Sequence, residues 1–425
     1  MSESYDFFVG TFTTPHLYTL RFTPPSTSSS KATGDLQILH RSSAIGSHSW
    51  LHLTPPQKKG PRNLYATAWT EPPSVVAYTV NSPTDIRLLG RALTRSRSGY
   101  VTASDVAVYS AGGATGEVFS LDPETGNFVS TSLTNGTTNG ITNNANGYDA
   151  PTSSIEPLQN ISFLDSTTQR DDGSVMDFGG LRHGAHSTDL SPSGEALYVA
   201  DIGRNCIWTF AVSPTGSVTL GEKHIAPRPN DGPRHVWPHP AGKYVYCLQE
   251  HTSMVDVFST ANGGVNLSHE QGVRIIPADE REEEFWADEV RTSFSHGDKP
   301  QYLYASTRGL KPEKKGYVAV FKLTEDGRID SSLRLATNMS DSHANGATLD
   351  PDPYAGLLCM YRTATSGGWA NAIQPGPTVD GVEYLALTDS EQGYVFVLGW
   401  DGKKIREVAR TRLDEGAGAA TAVWL

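Results

Sequence analysis

Two stretches of the chain repeat each other 48 residues apart, and few folds accommodate such a repeat. The first is His186-Ser-Thr-Asp-Leu-Ser-Pro-Ser-Gly-Glu-Ala-Leu-Tyr-Val-Ala-Asp201, and the second is Arg234-His-Val-Trp-Pro-His-Pro-Ala-Gly-Lys-Tyr-Val-Tyr-Cys-Leu-Gln249. Pro192 and Gly194 fall on Pro240 and Gly242, Tyr198 falls on Tyr246, and His186 falls on Arg234. A repeat of this period is the signature of a propeller or a solenoid. In such folds the scaffold positions match and the positions that vary carry the site.

The repeating unit is a strand with a central aromatic, a short turn, and a second strand ending in aromatic or aliphatic residues. It runs through the whole sequence: Phe7–Thr11 with Leu17–Leu20, Leu64–Thr67 with Val75–Tyr78, Asp105–Tyr109 with Glu117–Phe119, and Leu197–Ala200 with Ile207–Phe210. Tyr244–Cys247 with Val255–Phe258, Leu303–Ser306 with Tyr317–Phe321, and Tyr384–Leu387 with Tyr394–Val397 complete the set. Alternating apolar residues bounded by Gly, Pro, Asn and Asp mark strands and hairpins. Seven such units predict an all-β fold, a seven-bladed β-propeller with four-stranded blades, forming one domain over residues 1–425. The strand-like end Ala420–Leu425 has no partner of its own, so it is expected to close the ring against the N-terminal strands. Helical periodicity is nearly absent; the acidic run Glu280–Glu284 with Phe285-Trp286 is the best short-helix candidate. Residues 130–178, rich in Ser, Thr, Asn and Gly, read as an insertion between the third and fourth blades.

Composition narrows the function classes. A formal net charge of -12 argues against a nucleic-acid binder, which would present a basic face. No run approaches the ~20 apolar residues of a membrane span. The N-terminus shows no basic stretch followed by an apolar one, so a cytoplasmic location is expected. Cys206, Cys247 and Cys359 are too few and too scattered for a disulfide framework or a zinc site, and read as buried thiols. No HExxH or CxxC spacing, no nucleotide-binding glycine loop and no G-x-S-x-G elbow occurs, so no metal or cofactor is expected.

Variation at fixed repeat addresses picks out four residues. His186 and Arg234 share one inner-strand address. Glu250 and Arg308 share another, four residues after Tyr246 and Tyr304; Trp69, Ile202 and Thr388 occupy it in other repeats. An arginine fork matches a carboxylate, so two arginines suit a substrate with more than one. His and Glu are the groups most readily tuned to deliver a proton. Each residue also has a plainer reading. His183 and His186 could be polar residues of a wet channel, Arg234 and Glu250 a structural ion pair, and Arg308 a solvated loop residue. Asp288 and Glu289 read as surface charge.

Several blocks resemble the lactonase family of seven-bladed propellers, which includes bacterial phosphogluconolactonase and fungal carboxy-cis,cis-muconate cyclase. They are His186–Gly194 with Leu197–Asp201, Gly232-Pro-Arg-His235 with His239–Tyr246, and Tyr304–Gly309 with Gly316–Phe321. Thr365–Ala372, Leu387–Gly393 and the ending Gly418–Leu425 are nearer to the fungal cyclase. The third blade and the insertion do not match it, and Trp369 stands where a smaller polar residue or a His is expected. The resemblance implies that His186, Arg234, Glu250 and Arg308 are catalytic. It also implies a cofactor-independent intramolecular lyase that lactonises a small polycarboxylate, carboxy-cis,cis-muconate, in the β-ketoadipate route of aromatic catabolism. A lactone hydrolase of the same fold is the alternative, and a non-catalytic interaction platform the second. Homo-oligomerisation stays open.

Overall fold

A computed structural model of the chain describes residues 3–26, 33–56, 60–130, 155–164, 184–294, 299–333 and 352–425. Within them, 28 strands form seven four-stranded antiparallel sheets arranged as a seven-bladed propeller. The seven repeat units are the second and third strands of the blades. In the fifth blade these are β17 (Tyr244–Gln249) and β18 (Met254–Ala261), flanked by the inner strand β16 (Pro233–Pro238) and the outer strand β19 (Asn266–Arg274). Middle strands are buried on both faces because each blade packs against two neighbours, which is why they read as apolar runs. Outer strands keep one wet face, as in β3 (Asp35–Ser43).

The terminal strands behave as the orphan segment predicts. The strand β28 (Ala419–Trp424) is the innermost of the first blade and pairs with β1 (Tyr5–Thr11), setting Phe7 opposite Trp424 and Val9 opposite Ala422. The core lies between blades. Tyr246, Val255 and Val257 of the fifth blade pack with Leu303, Ala305 and Phe321 of the sixth, all fully buried. Each fully buried aliphatic or Phe side chain contributes roughly 1.5–3 kcal/mol. The repeat tyrosines carry their hydroxyls across the blade gap, where Tyr304 donates to Glu383 Oε2 at 2.6 Å and Tyr246 to the Gly327 carbonyl.

The matched turns have matched geometry. Gly194 (φ 73°) donates its N–H to the Ser191 carbonyl and Gly242 (φ 72°) to that of His239, both at 2.8 Å. A left-handed backbone at this point favours glycine, so its recurrence in both repeats has a steric cause.

Three expectations need revision. The run 130–178 is not wholly outside a blade: Gln159–Ser162 is β11, the outer strand of the third, and Ile161 and Phe163 are buried. The acidic run forms only a single 3₁₀ turn, Glu282–Glu284, and Phe285-Trp286 open the inner strand β20 (Phe285–Thr292). Phe285 is fully buried against Ile276 and Tyr317, which draws the chain into the sheet. Cys206 and Cys247 are buried, but Cys359 is partly exposed. Among the described residues, no helix is long and apolar enough to cross a membrane.

Candidate active site

Three neighbouring inner strands carry a β-bulge at the same address. In β12 (Ala185–Leu190) the pairing register jumps between Ala185 and Ser187, leaving His186 as the extra residue. In β16 the jump spans Pro233 and His235 and isolates Arg234; in β20 it spans Ala287 and Glu289 and isolates Asp288. A bulge inserts one residue, bends the strand and re-aims a side chain. The fourth, fifth and sixth blades thus present a histidine, an arginine and a carboxylate at one level of the channel.

The second strands end at the same mouth. Glu250 follows β17 and donates its N–H to the Gly232 carbonyl, just as Ile202 donates to Gly184 in the preceding blade. Arg308 lies near the end of β21 (Tyr302–Gly309), opposite Trp286. Arg234 Nε and Arg308 Nη2 both lie 3.3 Å from Glu250 Oε1. Asp288 Oδ1 lies 3.3 Å from Arg234 Nη2 and 3.7 Å from Arg308 Nε. Arg234 Nη1 also donates to the Asp288 carbonyl, and the Asn371 N–H donates to Asp288 Oδ2 at 2.9 Å. The Trp286 ring faces the Arg308 guanidinium at 5.0 Å.

Electrostatics separate the roles. Burial alone raises the Glu250 carboxyl, but His251, Arg234 and Arg308 outweigh it and hold the group down at about 2. Burial, opposed by the two arginines, pushes Asp288 up. His186 is pushed well below the usual imidazole range, by burial first and then by Arg234. Its ring is neutral at neutral pH, and its Nδ1 has no hydrogen-bond partner.

A second charged layer lies further along the inner strands. Glu289 Oε1 accepts from His235 Nδ1 and Arg291 Nη1, both at 2.9 Å. Arg291 Nη2 donates to the Tyr100 hydroxyl at 3.1 Å, and that hydroxyl donates to Asp189 Oδ2 at 2.7 Å. Arg291 sits over the Trp237 ring at 4.2 Å and the Trp50 ring at 5.2 Å, and Trp50 stacks on Tyr100. Burial raises both Glu289 and Asp189 to about 7, against the pull of Arg291.

All four residues singled out from the sequence therefore border one channel mouth, with Arg234, Glu250 and Arg308 in contact and His186 one bulge away. The ring of His186 is 5.1 Å from that of His235. Arg308 is a buried strand residue, not a solvated loop residue. Asp288 and Glu289 are not surface charges: they are 0% and 1% exposed, and arginines or His235 compensate both. Asp288 escaped the repeat comparison because it lies sixteen residues before Tyr304, whereas His186 and Arg234 lie twelve before Tyr198 and Tyr246. Trp369 is 69% exposed beside Phe12, next to Gly368, whose carbonyl accepts from Arg308. His183 lies outside the described residues. Among those residues, no group of three or more His, Cys, Asp or Glu is placed to hold a metal ion.

Blade count and ring closure define the class of protein, a seven-bladed β-propeller. Within that class the chain belongs to the family of seven-bladed β-propeller lactonases, whose pattern matches residues 6–353. It is 36% identical over 432 residues to muconate cycloisomerase 1 of Cutaneotrichosporon cutaneum, covering 99% of this chain and 98% of that one. It is 31% identical over 249 residues to carboxy-cis,cis-muconate cyclase of Neurospora crassa, covering 57% and 60%. A solved structure of a putative 6-phosphogluconolactonase from Bacteroides fragilis shares the fold, with a TM-score of 0.68 at 18% identity over 99% of this chain and 98% of that one.

Proposed function

We propose that the protein is an intramolecular lyase that lactonises a muconate-type polycarboxylate, with carboxy-cis,cis-muconate as substrate. The observation that carries this reading is the arginine pair, whose two guanidinium groups share one carboxylate at 3.3 Å beside a neutral histidine with a free ring nitrogen. A polycarboxylate can take the place of that internal contact. The names of the two fungal relatives support the same class, and the full-length one favours unsubstituted cis,cis-muconate as a second substrate.

In this reading, Arg234 and Arg308 bind substrate carboxylates with planar donor forks. One carboxylate oxygen bonds to the diene carbon β to another carboxylate. The π electrons move to the α carbon and onto that carboxylate, where an arginine stabilises the developing charge. A proton then reaches the α carbon, and the product is a lactone isomeric with the substrate. Glu250, held ionised, has no proton to give. We assign the donor role to His186, which takes up a proton when the bound anion offsets Arg234. Glu250 Oε1 bridges the two arginines until a substrate carboxylate replaces that contact.

The test is to incubate the purified protein with carboxy-cis,cis-muconate, with cis,cis-muconate and with 6-phosphogluconolactone. Loss of diene absorbance with formation of an isomeric lactone is the expected result. Hydrolysis of the sugar lactone with both dienes untouched overturns the proposal in favour of a lactone hydrolase, and no turnover of any substrate favours the interaction platform.

A further inference from the structure

The arginine pair is not held by its carboxylates alone. Arg234 Nη1 donates to Nε2 of His235 at 3.2 Å, and the opposite ring nitrogen of His235 faces Glu289 Oε1 at 2.9 Å. A guanidinium has only donors, so the ring nitrogen that meets it must carry a lone pair. The ring proton therefore sits on Nδ1, where the Glu289 carboxylate accepts it. His235 is 2% exposed, and burial and Arg234 push it well below the usual imidazole range, so it remains neutral. The Trp50 and Tyr100 rings meet it edge-on at 5.2 and 5.4 Å, fixing its plane.

We infer that His235 is a positioning residue for the reaction, and that its Nε2 lone pair, presented to Arg234 by the Nδ1–H tautomer, aims the Arg234 fork at a substrate carboxylate. This rests on the lactonising reading of the site. His235 touches no substrate in this scheme; it acts through Arg234. Glu289 is fixed in turn by Arg291 and by the Val290 N–H at 3.0 Å. The charged and titratable groups that act on this pair are Arg234 on the same strand as His235, His186 and Asp189 from the fourth blade, Tyr100 from the third, and Arg291 two residues from Glu289. The arrangement is a hydrogen-bond line from the depth of the channel to its mouth.

Two substitutions separate positioning from packing. In His235→Gln an amide oxygen can take the place of Nε2 and accept from Arg234. In His235→Asn the shorter amide reaches only the Nδ1 position and leaves Arg234 Nη1 without its acceptor. A hydrogen bond to a charged group that is lost typically changes affinity roughly tenfold. His235→Asn is thus expected to raise KM for the diene substrate about tenfold with kcat changed much less, while His235→Gln stays near wild type. Equal KM values for the two variants overturn the inference.

Nitrogen-15 NMR of the free wild-type protein, with the His235 ring signals assigned by through-bond correlation to the His235 backbone, reads the tautomer without substrate. An Nδ1–H ring at neutral pH is expected, and an Nε2–H ring overturns the inference even if neither variant folds. Absence of lactonising activity alongside an Nδ1–H ring sinks the reaction and leaves the line from Glu289 to Arg234 standing. Activity alongside an Nε2–H ring sinks the inference alone.

Discussion

Glu250 and Glu289 are the same residue type, equally buried, and border the same channel, yet one is held at about 2 and the other raised to about 7. Burial opposes ionisation of both. What differs is the company. Glu250 has His251 and the two arginines of the mouth, whereas the deeper layer has one arginine, Arg291, for both Glu289 and Asp189. The mouth is balanced in charge and its arginines can exchange partners. The deeper layer is rich in carboxyls and locked between aromatic rings, which suits a support. The account assigns chemistry to the mouth and orientation to the layer beneath it.

The largest expected effect tests the mouth. His186→Ala should lower turnover of the diene by ~10²–10⁴-fold, the usual cost of losing a general acid. Thermal stability should hardly change, because His186 Nδ1 makes no hydrogen bond. A variant with unchanged turnover breaks the division of labour at its upper end.

The next effect tests the deeper layer. Arg291→Met removes its guanidinium and leaves two buried carboxyls without their cation. Breaking a buried pair in this way costs about 3–5 kcal/mol of stability, measurable by denaturant unfolding. A loss much smaller than this would show that the deeper layer is not a support.

A smaller effect concerns pH. Glu289 and Asp189 have folded values near 7, above their unfolded ones, so the folded protein holds extra protons between about pH 4 and 7. Their contribution to stability is present at the acid end of that window and is lost as pH rises through 7. Asp189→Asn keeps an acceptor for Tyr100 and cannot ionise. Its unfolding temperature should therefore fall less than that of wild type between pH 5 and 8. Glu250 has the opposite sign: its contribution is present above the ordinary carboxylate range and lost as pH falls towards 2. Equal slopes in wild type and Asp189→Asn would contradict the proposed environment of Asp189.

The smallest effect concerns the polar run that the sequence reads as an insertion. Removing residues 131–154 alone should change stability by less than about 1 kcal/mol, since this Ser-, Thr-, Asn- and Gly-rich sequence carries few core-forming residues. Phe163→Ala, in the same expected insertion but fully buried, should cost about 3–5 kcal/mol. Chemical denaturation of the two variants compares the dispensable polar sequence with the buried Phe163.

These comparisons also show what the sequence made legible. His186 and Arg234 stood out because the hairpins that follow them have equal length, so the repeat kept its register up to the tyrosine. The hairpin after Asp288 is longer, and Asp288 slipped out of the comparison with it, leaving Asp288 and Glu289 to look like surface charge. The bulges themselves have no sequence signal; they appear only when the pairing of the strands is known. His235, Tyr100 and Trp50 come together from three blades far apart in the chain, so no local pattern joins them. The outer strand of the third blade was hidden for another reason. Gln159-Asn-Ile-Ser162 is short and mostly polar, and a single buried Ile gives no periodicity.

The central claim is that the arginines of the mouth hold substrate carboxylates, and calorimetry tests it most directly. Carboxy-cis,cis-muconate titrated into His186→Ala binds without turning over if His186 is the proton donor. Adding Arg308→Lys keeps the charge and removes the fork. The account predicts saturable binding to His186→Ala and an affinity roughly tenfold lower in the double variant. Equal affinities in the two proteins would contradict it.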